Sequence, residues 1–125
     1  SSYYTNLIYY NKYIIGVNAS DHCLYYSNNG ITWTIISGTN NTSFSNCTFK
    51  IISDILIICT SGYCYYSTDG VNYTNLYIDG DSYSITENND NGDIIVSSSY
   101  GFQILGQSAL KALPSIEDSY IKVLD

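Results

Sequence analysis

Apolar and polar positions alternate along this chain in short runs separated by small turns. Leu7–Tyr10, the pair Asn11-Lys12 and Tyr13–Val17 read as strand, two-residue turn, strand. Phe49–Ile52, Ser53-Asp54 and Ile55–Cys59 repeat that order further along. Ile55–Ile58 is continuously apolar, as expected of a strand covered on both faces. Each pair is followed by an aromatic hairpin, Tyr25–Thr34 in the first case and Tyr65–Thr74 in the second. The pattern predicts two four-stranded antiparallel units, one from 7 to 36 and one from 47 to 77. A third, fainter unit over 82–105 has three strands, Ser82–Thr86, Ile94–Ser97 and Gly101–Leu105. It is either degenerate or completed by another segment. The polar link Ser37–Asn46 holds Phe44, which is either a packed loop anchor or an exposed contact. From Ser108 the texture changes. Ala109–Leu113 predicts a helical turn or two, stopped by Pro114. Ser115–Leu124 reads as a strand, a short helix or an arm, with Tyr120, Ile121, Val123 and Leu124 apolar enough to need burial. The expected layout is an all-β region over 1–107 and a C-terminal arm over 108–125.

The two aromatic hairpins share a doubled motif. Ser27-Asn28-Asn29-Gly30-Ile31-Thr32-Trp33 returns as Ser67-Thr68-Asp69-Gly70-Val71-Asn72-Tyr73. An Asn29 or Asp69 side chain accepts hydrogen bonds from amides ahead of it and closes a turn. Gly30 and Gly70 supply a positive φ without steric cost. Ser27 and Ser67 give a second local acceptor, and Trp33 and Tyr73 lay a ring against the turn. These residue types describe a hairpin and not a reaction centre.

The motif resembles the Asp-box, the bacterial-neuraminidase repeat of sialidase-like β-propellers, in a short variant with one residue fewer between Asp and the aromatic. The resemblance covers roughly residues 7 to 77. It implies that the turn joins the two outer strands of a propeller blade, away from the catalytic face. The spacing of the units fits it, since four strands per forty or so residues mark a blade. About three blades cannot close a ring alone, so the resemblance implies a larger propeller, associating copies or capped ends.

Composition narrows the function. Charged residues make up 12% of the chain, about half the usual share of roughly 25%. Their place is taken by Ser, Thr, Asn and fifteen tyrosines. Net charge is −7, the four basic residues are Lys12, Lys50, Lys111 and Lys122, and arginine is absent. Nucleic acid is therefore a poor partner, since phosphate binding draws on clustered Lys and Arg. No apolar run approaches the roughly 20 residues of a helical membrane span. The chain opens on Ser1-Ser2 and holds no methionine, which leads to the expectation of a processed chain or a piece of a longer one. Sequons at Asn18, Asn40, Asn41, Asn46 and Asn72 show only compatibility with a glycosylating route.

Of the four cysteines, Cys59 and Cys64 flank Thr60–Tyr63 and would face each other across a hairpin at bridging distance. Aligned on the repeat, however, Cys64 takes the place of Leu24, a position for a small buried hydrophobe. The sequence favours the second reading and leaves the disulfide as the alternative. Cys23, Cys47, Cys59 and Cys64 have neither C-x-x-C spacing nor helper histidines, so no metal or other cofactor is expected.

Candidate chemistry is sparse. The acidic turn Glu87–Asp93 lacks the ligand alternation of a calcium loop and reads as a solvated hairpin turn. His22, beside Asp21, has no nucleophile to serve. The sialidase resemblance would bring a substrate clamp of three arginines and a tyrosine–glutamate pair. A chain without arginine cannot build the clamp. Paired carboxylates for glycoside hydrolysis would have to come from Glu87, Glu117 and nine aspartates, mostly in turns such as Asp54, Asp69, Asp79 and Asp81. The expectation is a chain that is not an enzyme. Tandem Tyr25-Tyr26 and Tyr65-Tyr66 point to opposite strand faces and are expected in the core. Tyr3, Tyr4, Tyr63 and Tyr100 are the candidates for exposed contacts.

Short arginine-free boxes with this Ile, Asn, Tyr and Ser bias resemble phage or large-virus tail-fibre, spike and capsid-surface components. That resemblance implies a structural and interaction module of a virion or the extracellular space, partnered by other subunits in a homo- or hetero-oligomer. The alternative is an oligomeric propeller lectin that binds surface glycans between its blades.

Overall fold

A computed structural model describes residues 3–39, 42–76, 84–106 and 121–124. It is all-β: no helix occurs among the described residues. Among the described residues, twelve strands form three antiparallel four-stranded sheets, none closed into a barrel. The first sheet runs in chain order through β1 (Tyr4–Tyr10), β2 (Tyr13–Asn18), β3 (Leu24–Ser27) and β4 (Thr34–Ile35). The second repeats this with β5 (Thr48–Ile52), β6 (Ile55–Thr60), β7 (Tyr63–Ser67) and β8 (Thr74–Asn75). The third holds β9 (Ser84–Glu87), β10 (Ile94–Ser98), β11 (Gly101–Leu105) and β12 (Ile121–Leu124).

Local chemistry explains the hairpins. The β1–β2 turn has positive φ at both Asn11 (50°) and Lys12 (75°), and the β5–β6 turn does so at Ser53 (50°) and Asp54 (68°). Two positive central residues match the right-handed twist of the flanking strands. β1 starts three residues earlier than its apolar pattern suggests, at Tyr4. A register shift between Thr5 and Ile8, with Asn6 at φ 51°, breaks the alternation and hides this extension from the sequence. The aromatic hairpins are shorter in strand than their sequence implies. β4 and β8 hold two residues each, and Trp33 and Tyr73 belong to the turn.

Burial places the second sheet between the other two. Tyr10, Ile15, Val17, Leu24 and Ile36 of the first unit share a core with Leu56, Ile58 and Tyr65 of the second. The opposite side of the second sheet, with Ile55, Ile57, Cys59, Cys64, Tyr66 and Leu76, packs on Ile85, Ile94 and Val96 of the third. Side chains alternate across a strand, and here both alternating sets of β6 are buried. That accounts for the unbroken run Ile55–Ile58. Tyr65 and Tyr66 are both buried, whereas Tyr25 and Tyr26 in the end sheet are only partly covered.

The link between the first two sheets is stitched down. Phe44 is fully buried with its ring 5.9 Å from that of Tyr65, so it is a loop anchor. Its amide donates to the His22 carbonyl at 2.9 Å, and the Thr60 hydroxyl donates to the Ser43 carbonyl at 2.9 Å. The Thr42 and Tyr65 hydroxyls share a buried hydrogen bond of 2.7 Å.

In the third sheet, β12 pairs antiparallel with β11, Leu105 facing Ile121 and Phe102 facing Leu124. Part of the stretch expected as an arm is thus the fourth strand of this sheet. The helical turn expected at Ala109–Leu113, Pro114 and Glu117 lie outside the described residues, as do Asp79, Asp81 and the sequons at Asn40 and Asn41.

Cys59 and Cys64 stand directly opposite in β6 and β7 and form a disulfide, with Cα atoms 4.1 Å apart. Both are buried, so the two readings of Cys64 hold together. In a loop-entropy account, so short a closed ring contributes roughly 2 kcal/mol. Cys59→Ala/Cys64→Ala is expected to lose up to about that amount in urea unfolding without reductant. A reducing agent should then move the wild-type midpoint and leave that of the variant unchanged.

Candidate functional site

The doubled turn is built almost identically in its two copies. Ser27 Oγ accepts from the Asn29 amide (3.2 Å) and the Gly30 amide (2.8 Å). Asn29 Oδ1 accepts from the amides of Ile31 (2.8 Å) and Thr32 (2.9 Å), and from the Ser27 hydroxyl (3.1 Å). In the second copy Ser67 Oγ accepts from Asp69 (3.2 Å) and Gly70 (2.8 Å) amides. Asp69 Oδ1 accepts from the amides of Val71 and Asn72, both 2.8 Å, and from the Ser67 hydroxyl at 3.1 Å. The Asn72 side chain adds a 2.7 Å bond to Asp69 Oδ2. Gly30 and Gly70 sit at φ 78° and 90°, where a side chain is strained. The aromatic closes each turn on the glycine carbonyl: Trp33 Nε1 donates to Gly30 at 3.3 Å and the Tyr73 hydroxyl donates to Gly70 at 3.0 Å.

Electrostatics follow from these contacts. Burial pushes the Asp69 carboxyl up, but the bonds from Asn72, Val71 and Ser67 outweigh it and hold it below the usual range. Burial, reinforced by the Asp69 carboxylate, pushes the Tyr73 hydroxyl up, so it stays a donor. All the named polar groups of the doubled turn bond within the turn itself, to its backbone or to one another.

A second polar cluster lies on the seam between the first two sheets. A cleft of about 340 Å³ is lined by Tyr10, Asn11, Asp54 and Thr68. The Tyr10 hydroxyl donates to the carbonyls of Asp54 and Ser67, and Asn11 Nδ2 donates to the Asp69 carbonyl at 2.7 Å. Burial, then the Asp54 carboxylate, raises the Tyr10 hydroxyl, which keeps it a donor. A Cβ built on Gly70 would stand 3.4 Å from atoms of Tyr10 and Tyr13, so the first sheet packs closely on this turn. The cleft is therefore bounded by the bonds that hold one sheet on the next. Sequence reading missed Tyr10 and Asn11 in this role. The available signal was a tyrosine at an inward strand position, which needs a partner for its hydroxyl.

The remaining candidates are dispersed. Tyr3, Tyr63 and Tyr100 are exposed. Tyr4 is not an open contact: its ring stacks on Trp33 at 4.0 Å and meets Tyr25 edge-on at 5.4 Å. Exposed His22 is separated from any dyad with Asp21, whose carboxylate accepts from the Tyr25 hydroxyl (2.7 Å) and the Cys23 amide (2.9 Å). These bonds lower the Asp21 carboxyl, and the hydrogen bond to Asp21 pushes Tyr25 up to about 12. The 87–93 turn is closed by the Asn88 amide on the Asp93 carbonyl at 2.8 Å, with Gly92 at φ 78°. Among the described residues, no three His, Cys, Asp or Glu side chains form a group able to hold a metal ion. Nor is any helix there long and apolar enough to cross a membrane. The sequon residue Asn18 is buried, its Oδ1 accepting from the Ser20 and Asp21 amides.

No family model, curated protein or solved structure matches this chain.

Proposed function

We propose that the chain is a non-catalytic structural and interaction module of propeller-like blades, carried on the outside of a particle. The fitting class is a virion or phage surface component: tail fibre, spike or capsid decoration. The observation that carries this reading is the doubled turn. Its serine, Asn or Asp, glycine and aromatic are committed to the hairpin itself, so the repeat is scaffold. In the seam cleft, the Tyr10 hydroxyl and the Asn11 side chain likewise tie sheet to sheet. The absence of arginine from the chain removes the carboxylate clamp that the sialidase resemblance would need.

The test is labelling of intact particles from the source culture with an antibody raised against this chain. Surface labelling is the expected result. Signal confined to soluble cell extract would sink the proposal.

One observation favours a second reading, an oligomeric carbohydrate-binding protein. Tyr3, Tyr9, Tyr63 and Tyr100 leave large parts of their rings in solvent, and tyrosine suits polar, ring-shaped ligands. A glycan array separates the two, because only the lectin reading requires a retained sugar.

A further inference from the structure

The internal repeat shows what belongs on the outer face of the first sheet. Opposite Ile58 in the second sheet stand Tyr65 on β7 and Phe49 on β5. This side also holds Leu56 and Tyr73, and the first sheet covers it. Their counterparts in the first sheet are Gly16, Tyr25 and Ile14 by the same registers, Trp33 by the same place in the turn, and Leu7, inside the β1 bulge, by its position against Gly16. None of these is fully covered by another part of the described chain except the small Gly16, over which Leu7 folds. Leu7 is 58% and Tyr9 67% exposed. The face carries no charged side chain among these positions. It has the composition of a surface meant to lie under a sheet; the Tyr4 ring covers part of it, stacked on Trp33 and edge-on to Tyr25, and Leu7 and Tyr9 lie open.

The opposite end of the stack offers the complementary surface. The first sheet meets the second through the pair Ile15 and Tyr26, and the second meets the third through Ile57 and Tyr66. The corresponding cross-strand pair in the third sheet is Ile95 and Ile104. Both alternate with the buried Ile94 and Val96 side and are only partly covered.

We propose that the open face of the first sheet receives the third sheet of a second copy of this chain, head to tail, continuing the step that relates sheet one to two and two to three. This rests on reading the sheets as blades. Such a contact is heterologous and extends to a ring or a filament.

Size measurement by light scattering on the full chain tests it. The wild type is expected above the 13.9 kDa of one copy. Leu7→Lys/Tyr9→Lys and, separately, Ile104→Lys should each fall to one copy with the β-sheet circular dichroism retained. Mixing the two variants should restore a heterodimer, because each keeps the face that the other has lost. A wild type that stays at one copy up to its solubility limit overturns the proposal. So does an oligomer indifferent to Leu7→Lys/Tyr9→Lys, or one sensitive to it and indifferent to Ile104→Lys, which would place first sheet on first sheet. A single-copy wild type that still labels on particles would overturn this contact alone and leave the proposed function standing.

Discussion

Phe44→Ala is expected to lower the unfolding free energy by about 3–5 kcal/mol, the usual cost of truncating a buried phenylalanine. The residue stands in a connecting loop, where surface substitutions usually cost little. Its burial decides otherwise. The ring is fully covered and sits beside Tyr65 in the core shared by the first two sheets. Removing it opens a cavity beside Tyr65, in a core shared with Leu56 and Ile58, whose strands are held by pairing and cannot easily collapse. The loop bonds from Phe44, Thr42 and Thr60 weaken with it. Since a domain has only about 5–15 kcal/mol in total, the loss removes a large share. Calorimetry should show the midpoint falling by roughly 10–20 °C. Phe44→Leu, which keeps most of the volume, should cost roughly 1–1.5 kcal/mol. Equal effects from the two substitutions would show that the ring does not fill the core.

The second large effect falls on Asp69. Asp69→Ala removes the acceptor for two backbone amides, the Asn72 side chain and the Ser67 hydroxyl, and should cost about 2 kcal/mol after allowance for solvent. Asp69→Asn should cost well under half of that, because Asn29 already makes the same turn in the first copy with an amide oxygen. The pH dependence separates them further. The Asp69 carboxyl is held below the usual range in the folded chain, so the unfolded chain binds the proton more readily. Stability from this group is complete above the ordinary carboxylate value of about 4 and is lost as pH falls through the lower folded value. Denaturation curves from neutral pH downward should show that loss in the wild type and a smaller one in Asp69→Asn. An unchanged pH slope in Asp69→Asn would contradict the assigned hydrogen bonds.

Strand positions and turn chemistry were legible because both are local. The apolar runs Tyr13–Val17 and Ile55–Cys59, and the serine, Asn or Asp and glycine of each box, act on neighbours a few residues away. What escaped reading depends on contacts between distant segments. Tyr4 looked exposed because nothing in its neighbourhood announces the stack on Trp33. The bulge at Asn6 put the start of β1 out of phase with the alternation. The fourth strand of the third sheet arrives from residues 121–124, far along the chain from its partner β11. The disulfide sat between these cases. The Ser61-Gly62 turn, with Gly62 at φ 86°, sets Cys59 opposite Cys64, but the repeat alignment pointed more strongly to simple burial. Of the seam residues, Tyr10 and Asn11 reach across to backbone carbonyls, and carbonyls leave no mark in a sequence.

The margins of the first two sheets carry a further implication. β4 and β8 are stubs of two residues, β1 is interrupted by its bulge, and β5 carries exposed Lys50 near its middle. Each is a known means of discouraging backbone-to-backbone recruitment of stray strands. In a chain rich in isoleucine and tyrosine and poor in charge, these margins disfavour amyloid-like growth along the hydrogen-bonding direction of the first two sheets.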